Sequence, residues 1–569
     1  MTSRVWPEAA LVALLPCLPL FAVSYAFYGP DWIDHTWLIG YSGAYFREHL
    51  TFPDMLNTWQ LSGIAYPVYY GFGFYPLLGL LGIVFHPHIV ILIVAYGLYC
   101  LQYAALTLLL HRQQLPDWFA RAASIMVTLA IYPLTNLYNR CDITEFFAGL
   151  ALSTGIVTLL LALGSEETGQ RRRWHAATLA LFGFMAVTHP LTLANAAIFM
   201  ALVSPLMLWI YRRRLKMAAV LIMSVPLMLL PLLSPWLYAL YSIGGKLDVS
   251  INPWFAIYKN DIDWWPTRLS PILFDRRVWT TPSFGSISTP FLDAPVSLCL
   301  LVMAGFMVRS GGRRFAACAI FMLALLGWYV WCSLSYYPWD AILPQVFHII
   351  QLPYRLVNMA NLSVLCLLLF AAAWMKERRM TATWPKSAKP VVLVLCTIAA
   401  CAYGQKMIHV AATSYPHAET VFAQEDYRKS LVTLPGTMYG VNAYVTPALY
   451  QGIHEAPALP AFPMDPQSYG ELQPLHVRID APGWYTTSIS ASWGNGIMVD
   501  GASTDVGIHD YRLAVYLTPG DHQLAYDFAP PALWRVCNWI ALATAVALLE
   551  YLLASFLPNA NRSRPSPDC

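Results

Sequence analysis

The sequence predicts a polytopic α-helical membrane protein of about twelve spans, with a small β-sandwich module ahead of the last span. Two observations carry this prediction. Of the 569 residues, 58% are hydrophobic and 11% are charged, and apolar runs long enough to cross a bilayer recur along the chain. The composition changes within residues 411–530, where Pro-rich sequence is followed by short alternating segments separated by turn residues.

Twelve apolar segments are candidate spans, at residues 8–28, 87–111, 117–135, 143–164, 174–188, 191–211, 216–241, 294–309, 315–336, 355–375, 389–410 and 532–556. Their connections alternate between Arg- and Lys-rich sequence and sequence with few cations. The positive-inside rule therefore predicts that both termini are cytoplasmic. Residues 174–211 carry three arginines before and after them and are too long for one crossing, so we expect a turn at Thr188-His189-Pro190. The shorter apolar stretch 72–86 predicts an interfacial or re-entrant helix.

These spans divide the chain into a transmembrane domain at residues 1–410, an external domain at 411–530, a final helix at 531–557 and a cytoplasmic tail at 558–569. External loops are expected at 29–75 and 244–294. The alternating segments near 470–528 predict an antiparallel β-sandwich, which has no cysteine and must therefore be held by its own core.

Several classes of function lack their sequence signals. The eleven cysteines form no CxxC pair and lie mostly in apolar segments. No phosphate-binding Gly loop or dinucleotide fingerprint predicts ATP or NAD chemistry, and nothing predicts a nucleic-acid partner. Few charges fall near the middle of a span, which argues against an ion-coupled transporter with its site at the midplane.

Ionisable residues instead concentrate at the predicted external ends of the spans, and this placement favours a shared external cavity. The candidates are Asp31, Asp34, His35, Arg140, Asp142, Glu145, His189, Asp261, Asp263, Asp340, His348 and Arg355.

The pair Asp34-His35 follows the first span by a few residues. A carboxylate at this position could act as general base on an acceptor hydroxyl, with His35 orienting it or the substrate. The structural alternative is that Asp31 or Asp34 caps the helix that follows, since Asp is a favoured cap.

Two arginines are candidates for binding a phosphate, which guanidinium groups contact through two hydrogen bonds at once. Arg140 precedes the fourth span together with Asp142 and Glu145, and Arg355 opens the tenth. Acids in the first turn of a helix also complement its dipole, so Asp142 and Glu145 have a structural alternative. The helix dipole gives no such reason for an arginine at a helix start.

Two further positions are open to more than one interpretation. His189 is either a capping residue at a tight turn or a ligand or acid–base group. Asp261 and Asp263 form a DxD pattern, which is a weak metal signal because two acids around one residue are common in polar loops.

The residues above resemble a known family. Its motifs correspond here to Asp34-His35, Trp59, the run Tyr70 to Pro76, Arg140 to Glu145, Thr188-His189, Gln351 to Arg355, and the terminal stretches Pro482-Gly-Trp484, Val499-Asp-Gly501 and Pro519 to His522. In this pattern the chain resembles the bacterial membrane proteins labelled "6-pyruvoyl-tetrahydropterin synthase-related", which are similar to glycosyltransferases of the GT-C fold. The resemblance covers nearly the whole chain through short motifs. The pterin synthase activity in this label is not expected of this chain, since that chemistry uses a set of zinc-binding histidines that this sequence lacks.

The resemblance implies a GT-C-like glycosyltransferase in the bacterial inner membrane, with its β-module in the periplasm. It would take a sugar from a polyprenyl-phosphate donor within the membrane lipid and pass it to an envelope glycan or lipid acceptor. By position, Asp34 would be the catalytic acid, with Asp31 second and His35 adjacent. Arg140, Asp142, Glu145, His189 and Arg355 would line the donor pocket. Mg²⁺ is compatible with this chemistry but not required by it.

A function from another class stays open on the sequence. The chain would then be a non-catalytic membrane component of a surface-polysaccharide assembly or export system. In that case the external module binds partners and the loop acids are structural.

Overall fold

The computed structural model describes residues 2–22, 30–57, 62–243, 294–310, 312–332, 355–378, 388–413, 449–464 and 471–557. Within these ranges the protein is mostly helical, with a small β region ahead of the final helix, which confirms the coarse prediction from the sequence. Residues 244–293, with Asp261 and Asp263, lie outside the described residues. So do Asp340, His348, Trp59 and the tail 558–569.

The helices before the first long gap in the description are α1 Thr2–Ala22, α2 Pro30–His49, α3 Tyr66–Tyr69, α4 Phe74–Gly82, α5 Pro87–Arg112, α6 Asp117–Thr128, α7 Ile131–Thr135, α8 Ile143–Gly164, α9 Thr168–Thr188, α10 Pro190–Ile210, α11 Leu215–Leu232 and α12 Ser234–Ile243. Those after it are α13 Ala294–Ser310, α14 Gly312–Cys332, α15 Leu356–Glu377, α16 Ala388–Thr413 and α17 Ala532–Phe556. A π-helical turn covers Asn136–Arg140 and a 3₁₀ turn covers Arg212–Arg214.

Nine helical stretches of the described chain are long and apolar enough to cross a membrane. They are Arg4–Phe21, Pro87–Arg112, Asp117–Tyr138, Ile143–Gly164, Pro190–Ile210, Arg212–Leu232, Gly312–Cys332, Leu356–Glu377 and Ala532–Phe556. The other three predicted spans fall on α9, α13 and α16. The first of these helices includes three arginines and the second has 17 residues. The total of twelve spans therefore stays a prediction, whereas the polytopic helical fold is present.

The arginine-rich connections gather at one end of the helical bundle. Arg112 at the end of α5 donates to the carbonyl of Leu161 at 3.2 Å and to the hydroxyl of Ser165 at 2.8 Å. Lys376 at the end of α15 donates in turn to the carbonyl of Arg112 at 2.9 Å. Because α8 and α9 pack against each other as a hairpin, the start of α8 lies at the opposite end. We call these the basic end and the polar end.

The stretch predicted as the first external loop contains a helix, α2, whose first half is mostly buried. The helix begins at Pro30, so Asp34 lies inside its second turn and is not its N-cap. Helix α2 packs closely on α4, which is the short helix predicted within residues 72–86. A Cβ atom on Gly43 of α2 would lie 2.5 Å from the carbonyl oxygen of Gly79. Glycine therefore permits this close contact between the two backbones.

The β region consists of two four-stranded sheets. Its strands are β1 Gln451–Gly452, β2 Leu475–Ile479, β3 Gly483–Ser490, β4 Asn495–Val499, β5 Ala502–Ser503, β6 Val506–His509, β7 Arg512–Leu517 and β8 Gly520–Phe528. One sheet has the order β1-β6-β7-β3 and the other β2-β8-β4-β5. Alternate side chains of both sheets, including Ile489, Val515 and Leu524, share one apolar core. At the tight turn between β4 and β5, Asp500 and Gly501 have φ of 52° and 80°, which suits Asp and Gly.

The β region is attached to the first loop by backbone hydrogen bonds. The Ser62 N–H donates to the Ser488 carbonyl at 3.0 Å, and the Ser490 N–H donates to the Ser62 carbonyl at 2.8 Å, so Ser62 extends the sheet beside β3. Beneath this contact, Met55 and Tyr69 share a small apolar core with Trp493 and Trp534. The first loop, the β region and the final helix α17 therefore form one packed unit.

Substituting Gly43 tests the contact between α2 and α4. Gly43→Ala places a methyl group against backbone, so we expect a loss of about 1–3 kcal/mol, seen as a lower melting temperature of the detergent-solubilised protein. Gly97→Ala in α5 is the matched control, because a Cβ atom on Gly97 would have nothing within 4 Å of it. There alanine should be neutral or stabilise by up to about 1 kcal/mol. Equal effects of the two changes would contradict close packing at Gly43.

The pair Asp500–His522, in which the Asp500 side chain is exposed, predicts a pH dependence of the β region. His522 Nδ1 lies 2.7 Å from Asp500 Oδ2. Hydrogen bonds from the Gln523 N–H and from His522 lower the pKa of Asp500 below 3.8. The bond to Asp500 raises the pKa of His522 above 6.5. The Asp500 contribution to stability is lost as pH falls through its lowered pKa, and the His522 contribution is lost as pH rises through its raised pKa.

The pair therefore contributes fully only between about pH 4 and 6.5. Amide exchange of β8, corrected for intrinsic rates, should be slower at pH 6 than at pH 8.5. Asp500→Asn should abolish most of this difference, and Asp480→Asn, at an exposed site after β2, should leave it intact. A pH difference that survives in Asp500→Asn would show that another group is responsible.

Candidate functional site

Ionisable and phenolic side chains from separate segments meet at the polar end of the bundle. This set, the polar cluster, consists of His35 in α2, Tyr70 after α3, Asp142 and Glu145 at the start of α8, His189 between α9 and α10, and Arg355 directly before α15. Five segments far apart in sequence supply it. Burial of such groups is costly unless they are paired or hydrogen-bonded, so their mutual contacts decide whether the arrangement is stable.

Arg355 bridges the two acids of α8. Its Nη2 atom lies 3.4 Å from Asp142 Oδ2, and its Nε atom lies 3.2 Å from Glu145 Oε2. The Glu145 and Asp142 side chains are 2% and 6% exposed and that of Arg355 is 12% exposed. This ion-pair group is thus largely removed from solvent, where removal of one charge is far more damaging than at the surface.

The local backbone explains why the two acids point the same way. A π-helical turn ends at Arg140, and Cys141 has a left-handed φ of 59°, which reverses the chain before α8. Asp142 is then the N-cap, accepting the Glu145 N–H at Oδ1 over 3.0 Å. Glu145 lies in the first turn and accepts the Tyr132 hydroxyl at 2.6 Å. The sequence alternative for these two acids is that they complement the helix dipole, and Glu145 does lie in the first turn. Asp142 has a task that the sequence prediction does not include, as the N-cap, and it also contacts Arg355 through its other oxygen.

His189 ends α9 and caps α10, so the predicted turn lies where expected. Its Nδ1 atom is 3.2 Å from the Thr192 backbone nitrogen and 2.7 Å from Thr192 Oγ1. Its ring lies edge-on to that of Tyr70, with 5.7 Å between centroids. The Tyr70 hydroxyl is 2.5 Å from Thr144 Oγ1, which donates to Asp142 Oδ1 at 3.0 Å. These contacts tie the His189 turn to the start of α8.

His35 completes the cluster from the side of α2. Its Nδ1 atom is hydrogen-bonded to the Tyr75 hydroxyl over 2.9 Å. Burial lowers the pKa of His35 to about 4, a shift that Asp142 opposes and His189 reinforces. His35 is therefore neutral at pH 7. Burial, followed by the charge of Asp142, raises the pKa of the Tyr70 hydroxyl well above 10, so Tyr70 is a protonated hydrogen-bonding group.

Three members of the polar cluster have the chemistry of metal ligands. Asp142, Glu145 and His189 each offer one ligand atom, and these atoms lie within 4.8 Å of one another. All three residues are buried. Two carboxylate oxygens and an imidazole nitrogen are a donor set that divalent ions accept.

Some of the site residues predicted from the sequence lie together in the structure and others do not. The polar cluster contains His35, Asp142, Glu145, His189 and Arg355. Asp34 is buried, at 7% exposed, and immediately precedes His35 on α2.

Two of the remaining candidates are described through their backbone. Asp31 lies in the first turn of α2, and Arg140 ends the π-helical turn. The weak metal candidates Asp261 and Asp263 lie outside the described residues, so that prediction stays as it was.

Sequence reasoning does not single out Tyr132 or Thr144, which contact Glu145 and Asp142. Both residues sit near the ends of apolar segments, where tyrosine is common at the membrane interface. Their residue types therefore give no signal of a site.

The fold and the site together define a polytopic helical protein with a buried polar cluster at one end of its helices. Comparisons of the chain with protein-family models, with curated proteins and with solved structures find no match.

The ion-pair group predicts a large effect of neutralising Arg355. Arg355→Gln leaves two buried carboxylates facing each other, so we expect a loss of about 3–5 kcal/mol in stability. The matched control is Arg214→Gln, which removes an exposed pair with Glu166 and should cost at most about 1 kcal/mol. Thermal unfolding of both variants in detergent measures the difference. An effect at Arg355 no larger than that at Arg214 would contradict a buried ion-pair group that depends on its guanidinium.

Proposed function

We propose that the protein is a membrane glycosyltransferase that moves a sugar from a polyprenyl-phosphate donor to an envelope glycan or lipid acceptor. The observation that carries the proposal is the polar cluster itself. Two acids, two histidines and an arginine meet at one end of a helical bundle, rather than at the middle of its spans. A lipid-linked donor and a water-borne acceptor can meet at such a membrane surface.

The orientation follows from the charge distribution. The basic end of the bundle would face the cytoplasm by the positive-inside rule. The polar end and the β region would then face the periplasm, where polyprenyl-linked donors are used. The resemblance to GT-C glycosyltransferases supports the same placement.

The chemistry assigns one role to each group. A carboxylate removes the proton from the acceptor hydroxyl while the hydroxyl oxygen attacks the sugar carbon that bears the phosphate. We assign this base to Asp34, with Asp31 second, and His35 beside it as the group that orients the acceptor. The phosphate leaves with its electron pair, and the guanidinium groups of Arg355 and Arg140 stabilise its growing charge.

The β region would position the acceptor. Its Ser62 contact and shared core with Tyr69 place it directly beside α3. Tyr70, the next residue along, belongs to the polar cluster. An acceptor held on the β region would therefore lie close to the proposed donor pocket.

A second function is favoured by a specific feature of the cluster. Asp142 and His189 are N-caps and Arg355 is paired with both acids, so every one of these side chains has a structural task. A non-catalytic component of a polysaccharide assembly would need nothing more from them. The β region would then be a partner-binding module.

Sugar transfer separates the two functions. Membranes containing the wild-type chain are mixed with labelled polyprenyl-phosphate sugars, and label on envelope lipids and glycans is followed by mass spectrometry. We expect transfer by wild type and a loss of about 10²–10⁴-fold in Asp34→Asn, because that is the usual contribution of a general base. Asp480→Asn, exposed on the β region, should transfer at the wild-type rate.

Full transfer by Asp34→Asn would move the base to Asp31. Absence of transfer by a well-folded wild-type chain across several donors would favour the non-catalytic component. The level of each variant in the membrane must match wild type, since the polar end is part of the packed core.

A further inference from the structure

The polar cluster contains a donor set whose chemistry the proposed transfer does not use. Asp142, Glu145 and His189 come from the start of α8 and from the turn between α9 and α10. Their ligand atoms converge to within 4.8 Å, although charge repulsion alone would separate two neighbouring carboxylates. In this structure the positive charge of Arg355, which contacts both acids, opposes that repulsion.

We propose that Asp142, Glu145 and His189 bind one divalent transition-metal ion, and that this ion and the Arg355 guanidinium compete for the same two carboxylates. Arg355 contacts Asp142 Oδ2 and Glu145 Oε2. The other oxygens have separate tasks, Oδ1 as the cap of α8 and Oε1 as acceptor of the Tyr132 hydroxyl. Oδ2 and Oε2 are thus the oxygens that we assign to the ion.

The distances agree with a competition. Bonds of about 2.0–2.2 Å place adjacent ligands of one ion about 3 Å apart. One ligand atom of each residue lies within 4.8 Å of the others, so ion binding would bring these atoms closer by up to about 2 Å. The guanidinium contacts the carboxylates over 3.2–3.4 Å, which is longer than metal–oxygen bonds of about 2.0–2.2 Å, so the ion and the guanidinium need different positions of the same oxygens. Metal binding would contract the site and release Arg355.

The histidine has an oxygen within reach for the supporting hydrogen bond that a metal ligand needs. A metal-bound imidazole usually donates its other ring N–H to an oxygen, which fixes the tautomer. In His189 the Nδ1 atom lies 2.7 Å from Thr192 Oγ1. In the cap of α10, Nδ1 accepts the Thr192 N–H, which leaves the ring proton on Nε2. Ion binding at Nε2 therefore requires the other tautomer, in which the cap bond is given up, Nδ1 donates to the Thr192 hydroxyl and Nε2 carries the lone pair that we assign to the ion.

The donor set also indicates the kind of ion. Carboxylates suit Mg²⁺, Ca²⁺ and Mn²⁺, whereas imidazole suits Zn²⁺ and other later transition metals. A mixed site of two carboxylates and one imidazole is best matched by Mn²⁺ or Zn²⁺. Mg²⁺ demands oxygen ligands and near-ideal geometry, so it should bind more weakly.

The consequence for the reaction rests on the proposed function. An arginine released from the acids by the ion could turn its charge to the donor phosphate, and the ion could accept a phosphate oxygen. Binding of the ion to the protein does not depend on that step. Binding of the ion and its part in the transfer reaction can therefore be tested separately.

The first test is metal binding by the purified full-length chain in detergent without any donor. After chelation and dialysis, MnCl₂ or ZnCl₂ is titrated, and bound metal is counted by elemental mass spectrometry and calorimetry. We expect one ion per chain and at least tenfold weaker binding in Asp142→Asn, Glu145→Gln and His189→Gln. Asn is as good a cap as Asp, so the first variant keeps the cap of α8, and Arg355 keeps its contact with Glu145. His454→Gln, at an exposed site in the β region, should bind like wild type.

The variant Arg355→Gln tests the competition between the ion and the guanidinium. Removing the guanidinium should tighten metal binding at least tenfold, and Mn²⁺ or Zn²⁺ should raise the melting temperature of this variant more than that of wild type. Pulsed EPR of the Mn²⁺ form should show coupling to a nitrogen that disappears in His189→Gln.

Three results would overturn the site: no bound ion in a folded wild type and Arg355→Gln, unchanged binding in all three ligand variants, or weaker binding in Arg355→Gln. If the ion binds as expected but transfer is absent, the metal site stands and the transferase function fails. If transfer by the wild-type chain occurs and is insensitive to chelation, the ion has no part in the reaction.

Discussion

The pairing of Arg355 with Asp142 and Glu145 is the interaction on which the polar end depends. Arg355 sits at the start of α15 and both acids at the start of α8. The positive end of a helix dipole favours the acids and disfavours the arginine. The acids of the neighbouring helix offset this unfavourable position by contacting Arg355. These ion pairs fix the position of α8 relative to α15 along the helix axes. Both helices are almost entirely buried.

The rest of the polar end is arranged around that pairing. Tyr70 links Asp142, through Thr144, to the ring of His189. Gly73 donates its N–H to the carbonyl of Val187 at 3.3 Å, which fixes the segment after Tyr70 against the end of α9. On its other side, Tyr69 packs with Trp493 of the β region. A short stretch of chain therefore couples the position of the β region to the polar cluster.

Hydropathy and charge predict the helical fold, the turn at His189 and the small β region, because each rests on a pattern that repeats along the chain. The criterion of length and hydropathy fails for α9, whose arginines interrupt its apolar composition. The sequence predicts an external loop at 29–75, yet α2 within it is 20 residues long. Its packing relies on Gly43 and Gly79. Glycine pairs in distant segments give no periodic signal.

Within the candidate site, the sequence identifies residue types but not partners. Arg355 is notable because a helix start gives no dipole reason for an arginine, and the structure supplies the reason in the acids of α8. His35 is a candidate on sequence grounds through its neighbour Asp34. Its ring is instead held by Tyr75, through a hydrogen bond and a stacked contact. Such contacts link positions 40 to 213 residues apart, a range over which a single sequence carries no pairing information.

The structural and functional interpretations of the cluster are compatible, because they use different atoms of the same side chains. Asp142 caps α8 with Oδ1 and meets Arg355 with Oδ2. Glu145 accepts the Tyr132 hydroxyl with Oε1 and meets Arg355 with Oε2. The cap bond holds the Asp142 carboxylate at a set angle, and the Tyr132 hydroxyl does so for Glu145; this fixed geometry is what a site for a cation or a leaving phosphate requires. Finding that a residue is a cap therefore does not decide against a role in binding; it explains how the second oxygen is aimed.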